Sequence, residues 1–353
     1  MSPGDPAVAI VLVTYFGADN LDRLYASVQA LRYRSERQSL IVVENGPDRD
    51  AWRWFRARAP QVRVLVPGDN IGYAGGAAAG MREALAAGVD YVAVITQDTV
   101  LDPDWLRELV AIAERHPQAG AVQPKILRTD RNGRMVINTW GNELHFLGVG
   151  FSGGDGRPDG PLEPRPVGYA SGAGVLFRAS ALRTVGLFDP AFFMYHEDSD
   201  LSWRMRLAGY DVLLAPRARM HHDYDFGRNP DKLYYIERNR LINVLTHYRL
   251  STLALLAPAL LLFEVLMLGY AFTGGWLGRR LAVYRFFMRR STWQYLRQKR
   301  RAVQSIRRVP DRAITVHWTA RIEFPAVDSW LLRRVMNPLL RGYWLLARPL
   351  LRW

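Results

Sequence analysis

Through the first two-thirds of the chain, the apolar positions fall into short β-branched runs separated by helical spacings. Val8–Thr14 is a continuous apolar run suited to a strand buried on both faces. Leu21–Leu31 has the spacing of an amphipathic helix, and Ser39–Val43 predicts a second buried strand closed by Asn45-Gly46-Pro47. Val62–Val66 follows, then a Gly-rich turn into a helix over Ala77–Ala87 ended by Gly88, then a strand at Tyr91–Ile95. This alternation predicts right-handed βαβ units, and so an α/β fold with a mostly parallel sheet flanked by helices. Ligands in such sheets sit beyond the carboxyl ends of the strands. The polar residues at those ends, Thr14, Tyr15, Glu44, Asn45 and Asp98, are therefore candidates.

Between Arg128 and Pro166 the pattern breaks into Gly, Pro and Asp, and Ser152–Gly160 reads as a flexible loop or lid. Order returns at Ala170–Phe177. A helix is predicted over Asp198–Ala208, stopped by Gly209, and a strand at Val212–Ala215. After Asp225 the chain turns to Arg/Tyr-rich, then apolar, then basic helix, which divides it near Phe226 into parts 1–225 and 226–353.

Composition adds three constraints. The 353 residues, 49% hydrophobic, suffice for one large domain plus an appendage. The absence of cysteine excludes disulfides and thiolate metal sites and suits a reducing cytosol. The N-terminal MSPGDPAVAIVLVTYF lacks a basic region ahead of its short apolar run, and it reads as a strand and not a signal peptide.

The net charge of +14 concentrates at Arg279–Arg308, which holds no Asp or Glu and follows the apolar stretch Leu253–Leu277. Basic residues beside an apolar segment point to an anionic membrane surface more than to nucleic acid, and no nucleic acid is expected. The apolar stretch exceeds the roughly 20 residues needed to span a bilayer. It contains Pro258 and Glu264, however, and a span from a cytosolic domain would put the basic block outside. A helix lying on the cytoplasmic face avoids that conflict, and the Trp-, Leu- and Arg-rich tail Ser329–Trp353 fits the same role. Ordinary packing of these helices onto the rest of the protein is the alternative.

Three segments could carry chemistry. Asp98, at the end of a strand, could hold a divalent cation against a diphosphate, or could simply begin a loop. His196-Glu197-Asp198-Ser199-Asp200 crowds three carboxylates at a helix start. Such residues complement the helix dipole, yet one would suffice for that, and a cluster behind Phe192-Phe193-Met194-Tyr195 suits a general base in a walled site. His221-His222 lies on a strand, where adjacent residues face opposite ways, so at most one points into any site. Asn70-Ile71-Gly72-Tyr73-Ala74-Gly75-Gly76 could approach a ligand closely, but it lacks the Lys-Ser/Thr ending of a P-loop.

The order and spacing of these segments resemble glycosyltransferase family 2 over residues 8–225. Val11-Leu12-Val13-Thr14-Tyr15 is similar to that family's opening strand, and Val42-Val43-Glu44-Asn45-Gly46 to its V-D-N-G-S segment. The Asn70–Gly76 stretch resembles the N-x-G-F-A-G-G turn, and Gln97-Asp98-Thr99 sits where a D-x-D-type motif is carried. Val185-Gly186-Leu187-Phe188-Asp189 through Phe193–Leu201, with Arg204 and Gly209 behind it, resembles the G-G-F-D-E…F-F-M-Y-x-E-D-x-D-L signature. Val167–Gly172 ahead and His221-His222 after it are similar to the rhamnosyltransferase branch. Thr96, Glu44 and Ala77–Ala79 depart from the pattern, replacing a carboxylate or Asn, an Asp and frequent Asn residues.

The resemblance implies a GT-A fold, with residues 1–225 binding the donor, and an inverting single displacement from a nucleotide-sugar, best matched by dTDP-rhamnose. Asp198 is then the base, with Glu197 in support. Thr14, Tyr15, Glu44, Asn45, Asn70, Gly72, Tyr73, Gly76, Gln97 and Asp98 are expected at the donor. Ser171, Gly172, Asp200 and Arg204 are expected on the acceptor side. Asp98 and His221 would hold Mg2+ or Mn2+. The expected acceptor is a polyprenyl-linked or cell-envelope glycan at the cytoplasmic face of the membrane. Galactofuranose, mannose or N-acetylglucosamine donors, and a non-catalytic nucleotide-sugar-binding scaffold, are the alternatives.

Overall fold

The strand β1 (Val8–Thr14) is buried at every position and forms the spine of the sheet. Around it the chain lays down α1 (Leu21–Gln29), β2 (Gln38–Glu44), α2 (Asp50–Arg58), β3 (Arg63–Leu65), α3 (Gly72–Ala86) and β4 (Tyr91–Thr96). The pairings β1–β2, β1–β4 and β2–β3 are parallel. Thr14 stands opposite Glu44 and Val13 opposite Thr96, so the carboxyl ends of these strands finish level with one another. The structure, a computed structural model, describes residues 4–15, 17–222, 231–323, 330 and 332–353. The expected division at 225/226 and the start of the tail at Ser329 lie outside the described residues.

The sheet continues through β5 (Thr99–Leu101), α4 (Trp105–Arg115), β6 (Ala119–Thr129), β7 (Met135–Thr139), β8 (Asn142–Leu144), β9 (Gly150–Ser152), β10 (Arg165–Pro166), β11 (Gly174–Arg178), α5 (Ala179–Val185), α6 (Glu197–Leu207) and β12 (Asp211–His222). The strand order is β10-β12-β6-β11-β4-β1-β2-β3. β11 runs antiparallel to β4 and β6, so the sheet is parallel on the β1 side and mixed beyond it. The segment 128–166, expected to be irregular, carries β7 and the β8–β9 pair. These strands are too short to show a period in the sequence. Helix α3 also starts at Gly72, five residues earlier than expected.

The C-terminal helices are α7 (Lys232–His247), α8 (Leu250–Thr273), α9 (Leu277–Phe287), α10 (Arg290–Ser305), α11 (Asp311–Ile314) and α12 (Asn337–Ala347). Ile242 of α7 and Leu296 of α10 belong to the same apolar cluster as Val11, Val94 and Val175 of the sheet. A further cluster joins Phe146 and Trp203 to Tyr248, Leu256, Phe263 and Trp344. Helix α8 is tied back at its start and in its middle. The Arg249 amide and the Thr252 hydroxyl donate to Asp311 at 2.9 and 2.5 Å. Glu264, in mid-helix, accepts from Arg240 at 2.5 Å and also pairs with Arg280.

Candidate active site

The ends of β1, β2 and α3 form one wall of a cavity. Asn45 knits it together: its side-chain amide donates to Asn70 Oδ1 and to the Gly72 carbonyl, each at 3.0 Å, and its Oδ1 accepts the Ile71 amide at 3.0 Å. Asn70 Oδ1 also accepts the Gly72 amide at 2.9 Å. Gly72 has φ +72, and a Cβ there would lie 2.3 Å from the Phe193 carbonyl oxygen, so only glycine fits this turn. Of the residues expected at the donor, Tyr15, Asn45, Asn70, Gly72, Tyr73, Gln97 and Asp98 line the cavity.

Three expected donor residues do not line it. The Glu44 carboxylate turns inward, accepting from the amides of Gly46 at 2.9 Å, Ala51 at 2.7 Å and Trp52 at 3.2 Å. It thereby satisfies free amides at the start of α2. The Thr14 hydroxyl is buried and donates to Glu44 at 3.3 Å. Gly76 faces the sheet, where a Cβ would meet Val13 at 3.1 Å, and it serves to bring α3 close to β1.

Beyond β4, Gln97 Oε1 accepts the Tyr15 amide at 2.8 Å and so fixes the loop. Asp98 Oδ1 lies 3.2 Å from His222 Nε2. Burial pushes the Asp98 carboxyl up, but the hydrogen bond and charge of His222 outweigh it and hold the carboxyl below its usual range. The pairing of β12 with β5 sets His222 opposite Thr99 and brings it there. His221, the expected ligand, faces the other way and its Nε2 meets Thr129 Oγ1 at 3.1 Å. No group of three metal-ligating side chains occurs among the described residues. A carboxylate oxygen and an imidazole nitrogen nonetheless fit a cation such as Mn2+ that takes its other positions from substrate oxygens and water.

The turn before α6 is held in an unusual backbone conformation. Phe193, Tyr195 and His196 have φ of 64, 64 and 67°, which non-glycine residues adopt only where their surroundings enforce it. Helix α7 supplies the enforcement. Asn239 donates to the carbonyls of Phe192, Met194 and Tyr195 at 3.0, 2.9 and 2.7 Å. Arg238 reaches those of Ala191 and Phe192 at 2.8 Å, and Asn243 that of His196 at 3.3 Å. Sequence reasoning missed this clamp, because the polar side of α7 reads as a solvated face.

The clamped turn presents Glu197 and Asp198 to the cavity. Asp198 accepts the Gly172 amide on Oδ2 at 3.0 Å and the Ser199 amide on Oδ1 at 2.7 Å. Burial raises its carboxyl to about 6 against the opposing pull of these amides. Glu197 Oε2 is buried with no hydrogen-bond partner among the described residues. Burial, then the charge of Asp198, pushes the Glu197 carboxyl well above its usual range. Ser171 and Gly172 also line the cavity, and the Tyr73 hydroxyl donates to the Gly172 carbonyl.

Asp200 and Arg204, expected on the acceptor side, lie beneath the cavity and not in it. Asp200 is fully buried, with Arg204 at 2.6 Å, Lys299 at 2.8 Å and His247 at 3.3 Å. Burial pushes its carboxyl up, but Arg204 and Lys299 dominate and hold it well below the usual range.

The cavity measures about 1970 Å3 and runs on past the carboxylates to residues of α7 and α8. Phe193 and Tyr235 stack at 5.2 Å along it. Phe263, Leu266, Met267 and Tyr270 make its far wall apolar.

Known proteins resemble this chain in sequence and in fold. A solved structure of GalNAc-T7 with UDP, GalNAc and Mn2+ superimposes with a TM-score of 0.55 at 15% identity, covering 68% of this chain and 48% of that one. This chain thus spans about half the length of that protein, and the likeness is one of fold. An N-acetylglucosaminyl-diphospho-decaprenol L-rhamnosyltransferase of Mycobacterium tuberculosis (strain CDC 1551 / Oshkosh) is 32% identical over 248 residues, 63% of this chain and 78% of that relative. A poly-beta-1,6-N-acetyl-D-glucosamine synthase of Staphylococcus aureus (strain MSSA476) is 26% identical over 215 residues, 60% of this chain and 48% of that relative. The family described as "Glycosyltransferase like family 2" matches residues 6–305. With a match over that much of the chain, and a sheet of the GT-A kind beneath the cavity, this protein belongs to the family-2-like glycosyltransferases.

Proposed function

We propose that the chain moves L-rhamnose from dTDP-rhamnose to a hydroxyl of a polyprenyl-diphosphate-linked or other cell-envelope glycan, with inversion at the sugar carbon. The observation that carries this reading is one cavity holding both the Asp98–His222 pair and the adjacent carboxyls of Glu197 and Asp198. The activity for which the Mycobacterium relative is named supports both the donor sugar and a lipid-linked acceptor.

In this mechanism Tyr15, Asn45 and the Asn70–Gly72 turn receive the nucleoside. Asp198 takes the proton of the acceptor hydroxyl. The oxygen's electron pair forms the new bond to the anomeric carbon as the bond to the diphosphate oxygen breaks, and the nucleoside diphosphate leaves. Burial favours the neutral form of Glu197, which limits the negative charge beside the base. A divalent cation, Mg2+ or Mn2+, held by Asp98 and His222 would neutralise charge on the diphosphate.

The same reading places residues 1–225 at the donor and residues 226–353 against the cytoplasmic face of an anionic membrane. Helix α8 is the one helix among the described residues long and apolar enough to cross a bilayer. Two contacts support its lying on the surface instead. After α8, Arg280 returns to Glu237 of α7 at 2.5 Å, and Lys299 of α10 to Asp189 at 2.8 Å, so α9 and α10 lie on the side from which α8 departs. Flotation with anionic vesicles, weakened by salt, is the expected behaviour, and a protein left wholly unbound at low salt would contradict it.

The reading is tested by nucleoside-diphosphate release from a panel of nucleotide-sugars, with Mg2+, Mn2+ or chelator, in the presence of lipid-linked N-acetylglucosamine. Metal-dependent release from dTDP-rhamnose is expected. Release confined to another donor would reassign the sugar, and saturable donor binding without any release would favour a scaffold.

A further inference from the structure

The cavity extends well beyond the reacting groups. Its volume of about 1970 Å3 exceeds the roughly 300–1,000 Å3 of an ordinary small-molecule site. The far wall, built by Phe263, Leu266, Met267, Tyr270 and Trp276, is predominantly apolar and offers few hydrogen-bonding groups to a sugar or a nucleotide. Val265 and Tyr270 each line the cavity and are 67% and 42% exposed, so the cavity opens along α8. From that rim an apolar stripe runs on: Leu261, Val265, Leu268 and Phe272 share one helix face and are all exposed. At 1.5 Å per residue the stripe is about 16 Å long.

A glycan alone would leave this wall and stripe against water. A hydrocarbon chain covers both, and each buried methylene contributes roughly 0.8 kcal/mol. We infer that the apolar half of the cavity is a subsite for the isoprenoid chain of the acceptor, which leaves the site past Val265 and runs along α8. The inference rests on the lipid-linked acceptor proposed above. Continuity with Asp198 favours the acceptor's own chain over a bulk phospholipid, which has no sugar hydroxyl to present to the base.

The test uses the full-length protein with N-acetylglucosamine diphosphate on a polyprenyl chain bearing a photoreactive diazirine. Adducts mapping to residues 263–276, displaced by unlabelled polyprenyl-diphosphate N-acetylglucosamine but not by phospholipid, are expected. Adducts confined to other helices, or displaced equally by phospholipid, overturn the inference. A second arm compares kcat/KM on long-chain and short-chain acceptors. The wild-type ratio is expected to favour the long chain by roughly tenfold or more, and Leu266→Gln and Met267→Gln to reduce it. Equal ratios in wild type and folded variants would overturn it as well. The photoprobe reads chain placement without turnover, so failure of the glycosyl-transfer reading would show separately, as absent nucleotide release.

Discussion

The side-chain amide of Asn239 donates to the backbone carbonyl of Tyr195 at 2.7 Å, two residues ahead of the Glu197-Asp198 pair. A residue of the C-terminal helices thereby sets the backbone on which the proposed base sits. Asn239→Ala leaves three carbonyls without this donor, each worth about 1–3 kcal/mol when buried. The expected result is a kcat lower by roughly 10–100-fold with donor KM held, since a misplaced base spoils alignment and not donor binding. Asn239→Asp, close in shape but unable to donate, should do no better. Steady-state kinetics on both variants provide the check, and an unchanged kcat would remove Asn239 as a positioning residue.

Asp198 must be ionised to accept a proton, and burial raises its carboxyl to about 6. The rate is therefore expected to fall about tenfold per pH unit below pH 6 and to level off above it. The sign for stability is opposite. A carboxyl raised above its unfolded value stabilises the fold only when protonated, and that contribution is lost as pH rises through about 6. Asp198→Asn should thus raise Tm at pH 7, as thermal unfolding across pH would show.

His222 and His221 are adjacent yet make different contacts, with Asp98 at 3.2 Å and Thr129 at 3.1 Å. His222→Ala should raise the Mn2+ concentration for half-maximal rate by more than about tenfold, since even outer partners of metal ligands cost that much. His221→Ala should leave this metal response in place. A metal titration of the rate separates the two, and a reversed pattern would restore His221.

Lys299, 110 residues beyond Asp189, neutralises both Asp189 and Asp200 from α10 at 2.8 Å. Lys299→Ala leaves a fully buried carboxylate short of one cation, at a cost of roughly 3–5 kcal/mol. Asp200 sits below its unfolded value. Its stabilisation is therefore present above about pH 3.9 and is lost as pH falls through the folded value. Denaturant unfolding at pH 7 measures the predicted loss.

Much of the site was readable where chemistry and turn geometry share a few consecutive residues. Asn70–Tyr73 and Phe193–Asp198 each carry a turn, a helix start and candidate functional groups together, and both face the cavity. Glu44 could not be placed the same way: its carboxylate serves the amides of Ala51 and Trp52, a helix cap set by the path of the chain after β2. The two histidines illustrate a finer limit. Strand alternation allowed only one to enter the site, but the choice depends on the register of β12 against β5, which no local pattern encodes. Asp200 and Arg204 were drawn to the acceptor by closeness in sequence, whereas helical spacing turns them into the core with His247 and Lys299. Contacts of α7 and α10 with the turn before α6 and with the residues around it join positions far apart in sequence, which no local pattern encodes.

The most direct measurement on the central claim is single-turnover transfer by Asp198→Asn beside its donor affinity. The account predicts a transfer rate lower by about 10²–10⁴-fold, with donor dissociation constant and Mn2+ response close to wild type. An Asp198→Asn protein that transfers sugar at the wild-type rate would contradict it.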